Sequence, residues 1–311
     1  MSGVTLEARG LSKWFGGRSA VESVSFTARV GEVIGLLGPN GAGKTTTIRL
    51  LSTVLVPSAG EFSVAGVPGS RPAEVRARIG VLPESAGYPP HQTGVEYLAY
   101  HARLFGRSRG QAVRVAVRLL DQVGLAGRAS SRIGSYSRGM RQRLGIARAL
   151  VNDPVVVFLD EPTLGLDPAG QREILALVRT VAQARGVTVV LSTHTLPEVE
   201  EICSTVLILD KGKVIVHDTV AGITDTATRR RVGYVRVPPD QVVRAREVLA
   251  AVPGVEVLPD DRVNTVGFAA ADGLNEALSA VLDAGVPVLS FGIEGARLND
   301  AFLAITGGEQ P

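Results

Sequence analysis

A single cysteine, Cys203, stands in 311 residues, so no intrachain disulfide and no cysteine-based metal cluster can form, and the chain suits a reducing compartment. Zinc chemistry is not expected. Long hydrophobic runs are missing too. No apolar stretch approaches the ~18 to 20 residues needed to cross a bilayer, and MSGVTLEARG at the start lacks the basic-then-apolar layout of a signal peptide. Both absences predict a cytoplasmic chain. Lysine is scarce: 29 of the 33 basic residues are arginine, leaving Lys13, Lys44, Lys211 and Lys213, a skew consistent with a GC-rich genome. Against 30 acidic residues the net charge is only +3, so no nucleic-acid partner is expected. The run Arg229, Arg230, Arg231 is too short for a polybasic segment and reads as a solvated turn.

What is present is the balance of a globular chain: 45% hydrophobic, 20% charged, 36 Gly and 17 Pro. The length suits one large domain and a smaller one. Short β-type runs (VTLEARGL, VSFTARV, EVIGLL) open the chain, and the last runs into GPNGAGKTT and then TIRLLSTVL, whose Ile48, Leu50, Leu51 and Leu55 have helical spacing. Residues 94 to 125 carry Val95, Leu98, Leu104, Val113, Val117, Leu120 and Val123 at spacings that predict helices. VVVFLD and VTVVLST are continuous rather than alternating, as strands buried on both faces of a parallel sheet are. VLILDKGKVIVHD reads as a hairpin turning at Lys211 and Gly212. Beyond it the order becomes strand, helix, strand, strand, helix, strand, a ferredoxin-like small domain. Its helices are expected to cover one sheet face with Val243, Val248, Leu249, Leu274, Leu278 and Leu282, while Asp260 and Asp261 read as a turn.

Gly38, Pro39, Asn40, Gly41, Ala42, Gly43, Lys44 and Thr45 fit G-x-x-x-x-G-K-[ST] between a strand and a helix. The glycines let backbone N–H groups curl round phosphate oxygens, Lys44 suits the β- and γ-phosphates, and the Thr45 hydroxyl can ligate Mg²⁺. The motif points to nucleotide and phosphoryl chemistry without saying what the energy does. Asp160 and Glu161 end a buried strand, where one carboxylate can hold Mg²⁺ and the other polarise water; a strand-end pair is otherwise a solvated turn or a cap. His194 ends another strand, the edge where open α/β sheets bind ligands, although a lone histidine there is commonly structural.

Tyr136, Ser137, Arg138, Gly139 and Met140, followed by Arg141, Gln142 and Arg143, resemble the signature motif of the ATP-binding subunits of ABC transporters, LSGGQ followed by QR. The family spacing is kept, with Ser137 standing 23 residues before Asp160. The resemblance covers about residues 4 to 218. It implies that Phe15 stacks on adenine and that Gly38 to Thr46 form the Walker A loop, Thr46 included. It further implies that Asp160 and Glu161 are the Walker B aspartate and catalytic base, that Leu166 and Asp167 form the D-loop, and that His194 contacts the γ-phosphate. Arg138 and Met140 depart from the motif, and Glu84 in GVLPES stands where the family has a glutamine that contacts Mg²⁺ and water. Both departures resemble the subgroup that serves exporters of drugs, antibiotics, lipids or polysaccharides, and RLNDAFLAITG resembles its C-terminal helix.

The implied fold is α/β: a P-loop NTPase cassette over 1–218 with a parallel-sheet core, an antiparallel β subdomain and a helical insert at 88–150. A linker at 219–231 and a small α+β ferredoxin-like accessory domain at 232–311 follow. The implied activity is ATP hydrolysis, with Mg²⁺ held by Thr45, Asp160 and Glu84, in a head-to-tail homodimer or a pair with a close paralogue. The implied partners are integral-membrane permease subunits, which would hold the chain peripherally on the inner face of the cell membrane. The competing reading is a soluble ABC ATPase acting as a switch in cofactor assembly or another non-transport process, although the cofactor-assembly type lacks the ferredoxin-like tail.

Overall fold

The computed structural model of the chain describes residues 3–223, 231–259, 262–270 and 274–294. The reading of Arg229 and Arg230, most of the 219–231 linker, Asp260 with Asp261 and the C-terminal RLNDAFLAITG fall outside them. The chain divides between Thr219 and Val220 into two compact units. In the first, β1 (Val4–Phe15), β2 (Arg18–Arg29), β4 (Ala59–Val64) and β5 (Val67–Pro68) form an antiparallel sheet in the order β2-β1-β4-β5. Their alternating side chains bury Leu6, Ala8, Leu11, Val24 and Phe26 on one face.

Beside it lies a six-stranded sheet, β10-β9-β3-β8-β7-β6. Its members are β3 (Val33–Leu37), β6 (Ile79–Leu82), β7 (Val156–Asp160), β8 (Thr188–Thr193), β9 (Thr205–Asp210) and β10 (Lys213–Thr219). All neighbours pair in parallel except the β9–β10 hairpin. Every residue of β3, β7 and β8 is buried, the consequence of covering both faces of a parallel sheet. Register sets Leu37 opposite Thr193 and Asp160 opposite Ser192, so the carboxyl ends of β3, β8 and β7 stand side by side.

The helices differ from expectation in two places. The helix after the glycine loop, α1 (Lys44–Leu51), stops before Leu55, because Ser52 leaves helical geometry and Thr53 takes a positive φ of 63°. In the insert, α3 (Gly94–Leu104) and α4 (Arg109–Gln122) each start at a reciprocal capping box, Thr93 with Glu96 and Ser108 with Gln111. Leu98, Leu120 and Val123 are buried there, whereas Leu104, Val113 and Val117 are exposed. These three follow helical spacing but lie on the outer face, since α3 and α4 spend their inner faces on each other and on α5 (Arg138–Ala149). α2 (Pro72–Arg76) precedes these helices in the chain, and α6 (Pro168–Arg185) and α7 (Leu196–Ile202) follow them.

The second unit has β11 (Arg231–Arg236), α8 (Val242–Ala250), β12 (Val255–Leu258), β13 (Thr265–Ala270), α9 (Leu274–Asp283) and β14 (Ser290–Glu294). The sheet order β12-β13-β11-β14 is antiparallel throughout, the ferredoxin-like arrangement. Its core is Val235, Ala245, Leu249, Phe268, Leu274, Ala277 and Val281. Val243 and Leu282 are exposed instead, because the faces the two helices turn to the sheet carry Ala245 and Leu249 in one and Leu274, Ala277 and Val281 in the other.

One close approach governs where α5 sits. A Cβ placed on Gly80 of β6 would fall 1.9 Å from the Ala149 carbonyl oxygen, which neither backbone can clear without moving. Gly80→Ala is therefore expected to lower unfolding free energy by about 1–3 kcal/mol, the range for overpacking, as read by urea denaturation.

Candidate functional site

The loop Gly38–Gly43 links β3 to α1, and Gly43, the N-cap of α1, has φ +104°. A Cβ there would sit 2.6 Å from the Ala20 carbonyl oxygen, so the loop geometry requires glycine. α1 consequently begins at the loop, its first amides and the positive end of its dipole directed towards a cleft of about 390 Å³. Asn40 to Thr46, Glu84, Glu161 and His194 line that cleft. The Lys44 ammonium is buried and donates to the carbonyls of Gly38 (2.6 Å) and Pro39 (3.2 Å), with Glu161 at 3.7 Å.

Under the cleft Asp160 is 3% exposed. Its Oδ1 accepts from Thr45 Oγ1 at 3.1 Å and from Ser192 Oγ at 2.6 Å, and the Ser192 oxygen in turn accepts the Glu161 N–H at 3.0 Å. Glu161 leaves the strand with φ +48°, a costly conformation for a residue with a Cβ. That turn brings its Oε2 within 3.0 Å of His194 Nδ1. Burial raises the Glu161 carboxyl above the usual range, and the nearby His194 and Lys44 charges offset part of the rise. Burial likewise lowers the Lys44 ammonium, opposed by Glu161 and Asp160. A carboxylate raised in this way is a better proton acceptor towards water than an exposed one.

A second buried polar cluster supports this one. Glu198, 4% exposed on α7, accepts from Thr163 Oγ1 and Thr193 Oγ1, both at 2.7 Å. Ser192, Thr163, Thr193 and Glu198 were not distinguished in the sequence. The first three look like ordinary strand and turn residues, and only the fold gives their hydroxyls partners: Asp160 across the β7–β8 ladder for Ser192, and Glu198 on α7 for Thr163 and Thr193.

The remaining candidates lie elsewhere. Phe15 ends β1 and is 49% exposed, with Lys13 Nζ 5.3 Å from its ring centroid, so it is no core aromatic. Asp167 caps α6, accepting the Gly170 N–H at 3.1 Å. Tyr136 is buried and donates to the Arg128 carbonyl at 2.7 Å. Ser137 caps α5 by accepting the Met140 N–H at 3.2 Å, and Arg138 lays its guanidinium against Gly165. None of Tyr136, Ser137, Arg138, Gly139 or Met140 is among the residues lining the cleft.

The family model described as ABC transporter matches residues 21–164. The chain is 36% identical over 311 residues to the daunorubicin resistance ATP-binding protein DrrA2 of Streptomyces coeruleorubidus, covering 99% of this chain and 96% of that one. It is 36% identical over 310 residues to the Nod factor export ATP-binding protein I of Burkholderia orbicola (strain AU 1054), covering 99% of each. Among solved structures, one described as the ATP binding subunit of an ABC transporter superposes with a TM-score of 0.63 at 32% identity, over 71% of this chain and 92% of the other.

Ser192→Ala removes the hydroxyl that serves both Asp160 and the Glu161 amide. The expected cost is about 1–3 kcal/mol, that of leaving buried polar groups short of a partner, measurable as a lower urea midpoint with an unchanged slope.

Proposed function

This chain belongs to the ABC transporter ATP-binding family and is an ATPase, and from that premise we propose that it energises export through separate membrane permease subunits. The observation that carries the reading is the meeting of Lys44, Thr45, Asp160, Glu161 and His194 at the carboxyl ends of three adjacent parallel strands. Similarity to a daunorubicin resistance protein and a Nod factor export protein along nearly the whole chain supports export, with a drug, antibiotic, lipid or polysaccharide as the cargo class. Among the described residues no helix is long and apolar enough to cross a membrane. The chain would then sit peripherally at the inner face of the membrane.

In this reading the loop amides and Lys44 bind the phosphates of ATP. Thr45 and Asp160, with oxygens 3.1 Å apart, and Glu84 in the same cleft are hard oxygen donors of the kind Mg²⁺ takes when phosphates and water complete its shell. The ion would supply neutralisation of the β- and γ-phosphate charge. Glu161 accepts the proton of the attacking water, and His194, hydrogen-bonded to it, orients that carboxylate and reaches the γ-phosphate. Phe15, exposed at the end of β1, stacks on the adenine.

Ser137 and the first amides of α5 form an exposed helix N-terminus with no part in the chain's own cleft. This supports a head-to-tail dimer in which the signature of one copy completes the γ-phosphate site of the other, with Asp167 near the shared surface.

Glu161→Gln keeps the shape and removes the base. Hydrolysis should fall at least about 100-fold while ATP binding persists, and size-exclusion chromatography with Mg-ATP should then reveal a trapped dimer. Lys44→Ala should instead abolish ATP binding in equilibrium titration, and a normal affinity would overturn the assignment of the loop. Glu84 is expected to act in coupling: Glu84→Gln should be mild and Glu84→Ala severe in permease-stimulated turnover in membranes, with basal ATP affinity little changed in either.

A further inference from the structure

Glu198 is a buried acid to which the hydrolytic scheme gives no task. Taking a carboxylate out of water is costly unless its oxygens are matched by donors, and here each oxygen has one. Oε1 accepts from Thr163, two residues after Glu161, and Oε2 accepts from Thr193, the residue before His194. Thr163 and Thr193 are 2% and 0% exposed. The Thr193 oxygen also accepts the Thr195 N–H at 3.0 Å, closing a small ring around the position of His194. One side chain on α7 therefore grips the chain just beyond the β7 carboxylates and the chain at the end of β8.

We propose that Glu198 is a positioning residue for hydrolysis, a brace that fixes the separation of the Glu161 carboxylate and the His194 imidazole through Thr163 and Thr193. The inference rests on the hydrolytic reading above. It does not require Glu198 to touch ATP. Its effect is on alignment, where small displacements of a base cost rate and leave binding of the substrate largely unchanged. Glutamine fills the same volume but offers one oxygen in place of two, so one hydroxyl must turn and accept from the amide.

The test is steady-state ATP hydrolysis by the full-length chain, with kcat normalised to ATP-binding sites titrated in each preparation. Glu198→Gln should lower kcat about tenfold while KM for ATP changes less than about twofold. Thr163→Val and Thr193→Val should each lower kcat about fivefold, and the double variant should lose less than the product of the two, because either cut releases the same brace. A folded Glu198→Gln protein with wild-type kcat would overturn the proposal. So would a fall in total activity matched by an equal loss of ATP-binding sites, which leaves kcat per site unchanged and marks general destabilisation. Should Glu198→Gln fail to fold, the two valine variants decide: wild-type kcat in both rejects the brace. Glu161→Gln run alongside separates the two levels, since retained turnover there rejects the hydrolytic reading itself, whereas an inactive Glu161→Gln beside an unimpaired Glu198→Gln rejects the brace alone.

Discussion

The Asp160 carboxylate is the point on which the site depends. It is nearly inaccessible, it ends β7, and it is held by a hydroxyl from α1 on one side and a hydroxyl from β8 on the other. Burying such a group is unfavourable without donors, so the three elements are required to keep their mutual register for the carboxylate to be tolerated at all. That requirement fixes Thr45 beside Asp160 and hangs the Glu161 amide from Ser192. The candidate site is thus assembled on the side-by-side ends of parallel strands, and the β7–β8 ladder, with Asp160 opposite Ser192, is what makes the arrangement possible.

Around this point the site carries deliberate tension. Glu161 adopts left-handed backbone geometry that a side chain disfavours, and its carboxyl is raised by burial while the neighbouring His194 and Lys44 pull the other way. Lys44 shows the mirror image, lowered by burial and opposed by carboxylates. Each member of the pair favours the charged form of the other, opposing the burial that disfavours it.

Much of this was readable in the chain because its determinants are local. The glycine loop declares itself through spacing and the strand and helix on either side, and the continuous apolar runs of β3, β7 and β8 announce a sheet covered on both faces. Other features depend on partners distant in sequence. Ser192 and Thr193 are β-compatible residues in a β-strand, and Glu198 sits among the acidic residues of LPEVEE; nothing short of the fold tells a buried brace from a solvated helix charge. Helical periodicity also overreached at Val113, Val117, Val243 and Leu282, since spacing places a residue on a face without saying whether a neighbour covers that face.

The two carbonyl bonds that Lys44 makes within its own loop bear on which anions the cleft accepts. The ammonium already has partners, so an incoming anion gains only the difference between its own hydrogen bonds and those it displaces. A monovalent ion such as chloride offers a single compact charge in exchange for two oxygen acceptors and the nearby Glu161 carboxylate. A polyphosphate offers several charged oxygens, with loop amides placed to meet them at the same time. Self-satisfaction of the lysine therefore sets a threshold that favours an anion able to offer several charged oxygens at once over a simple monovalent ion.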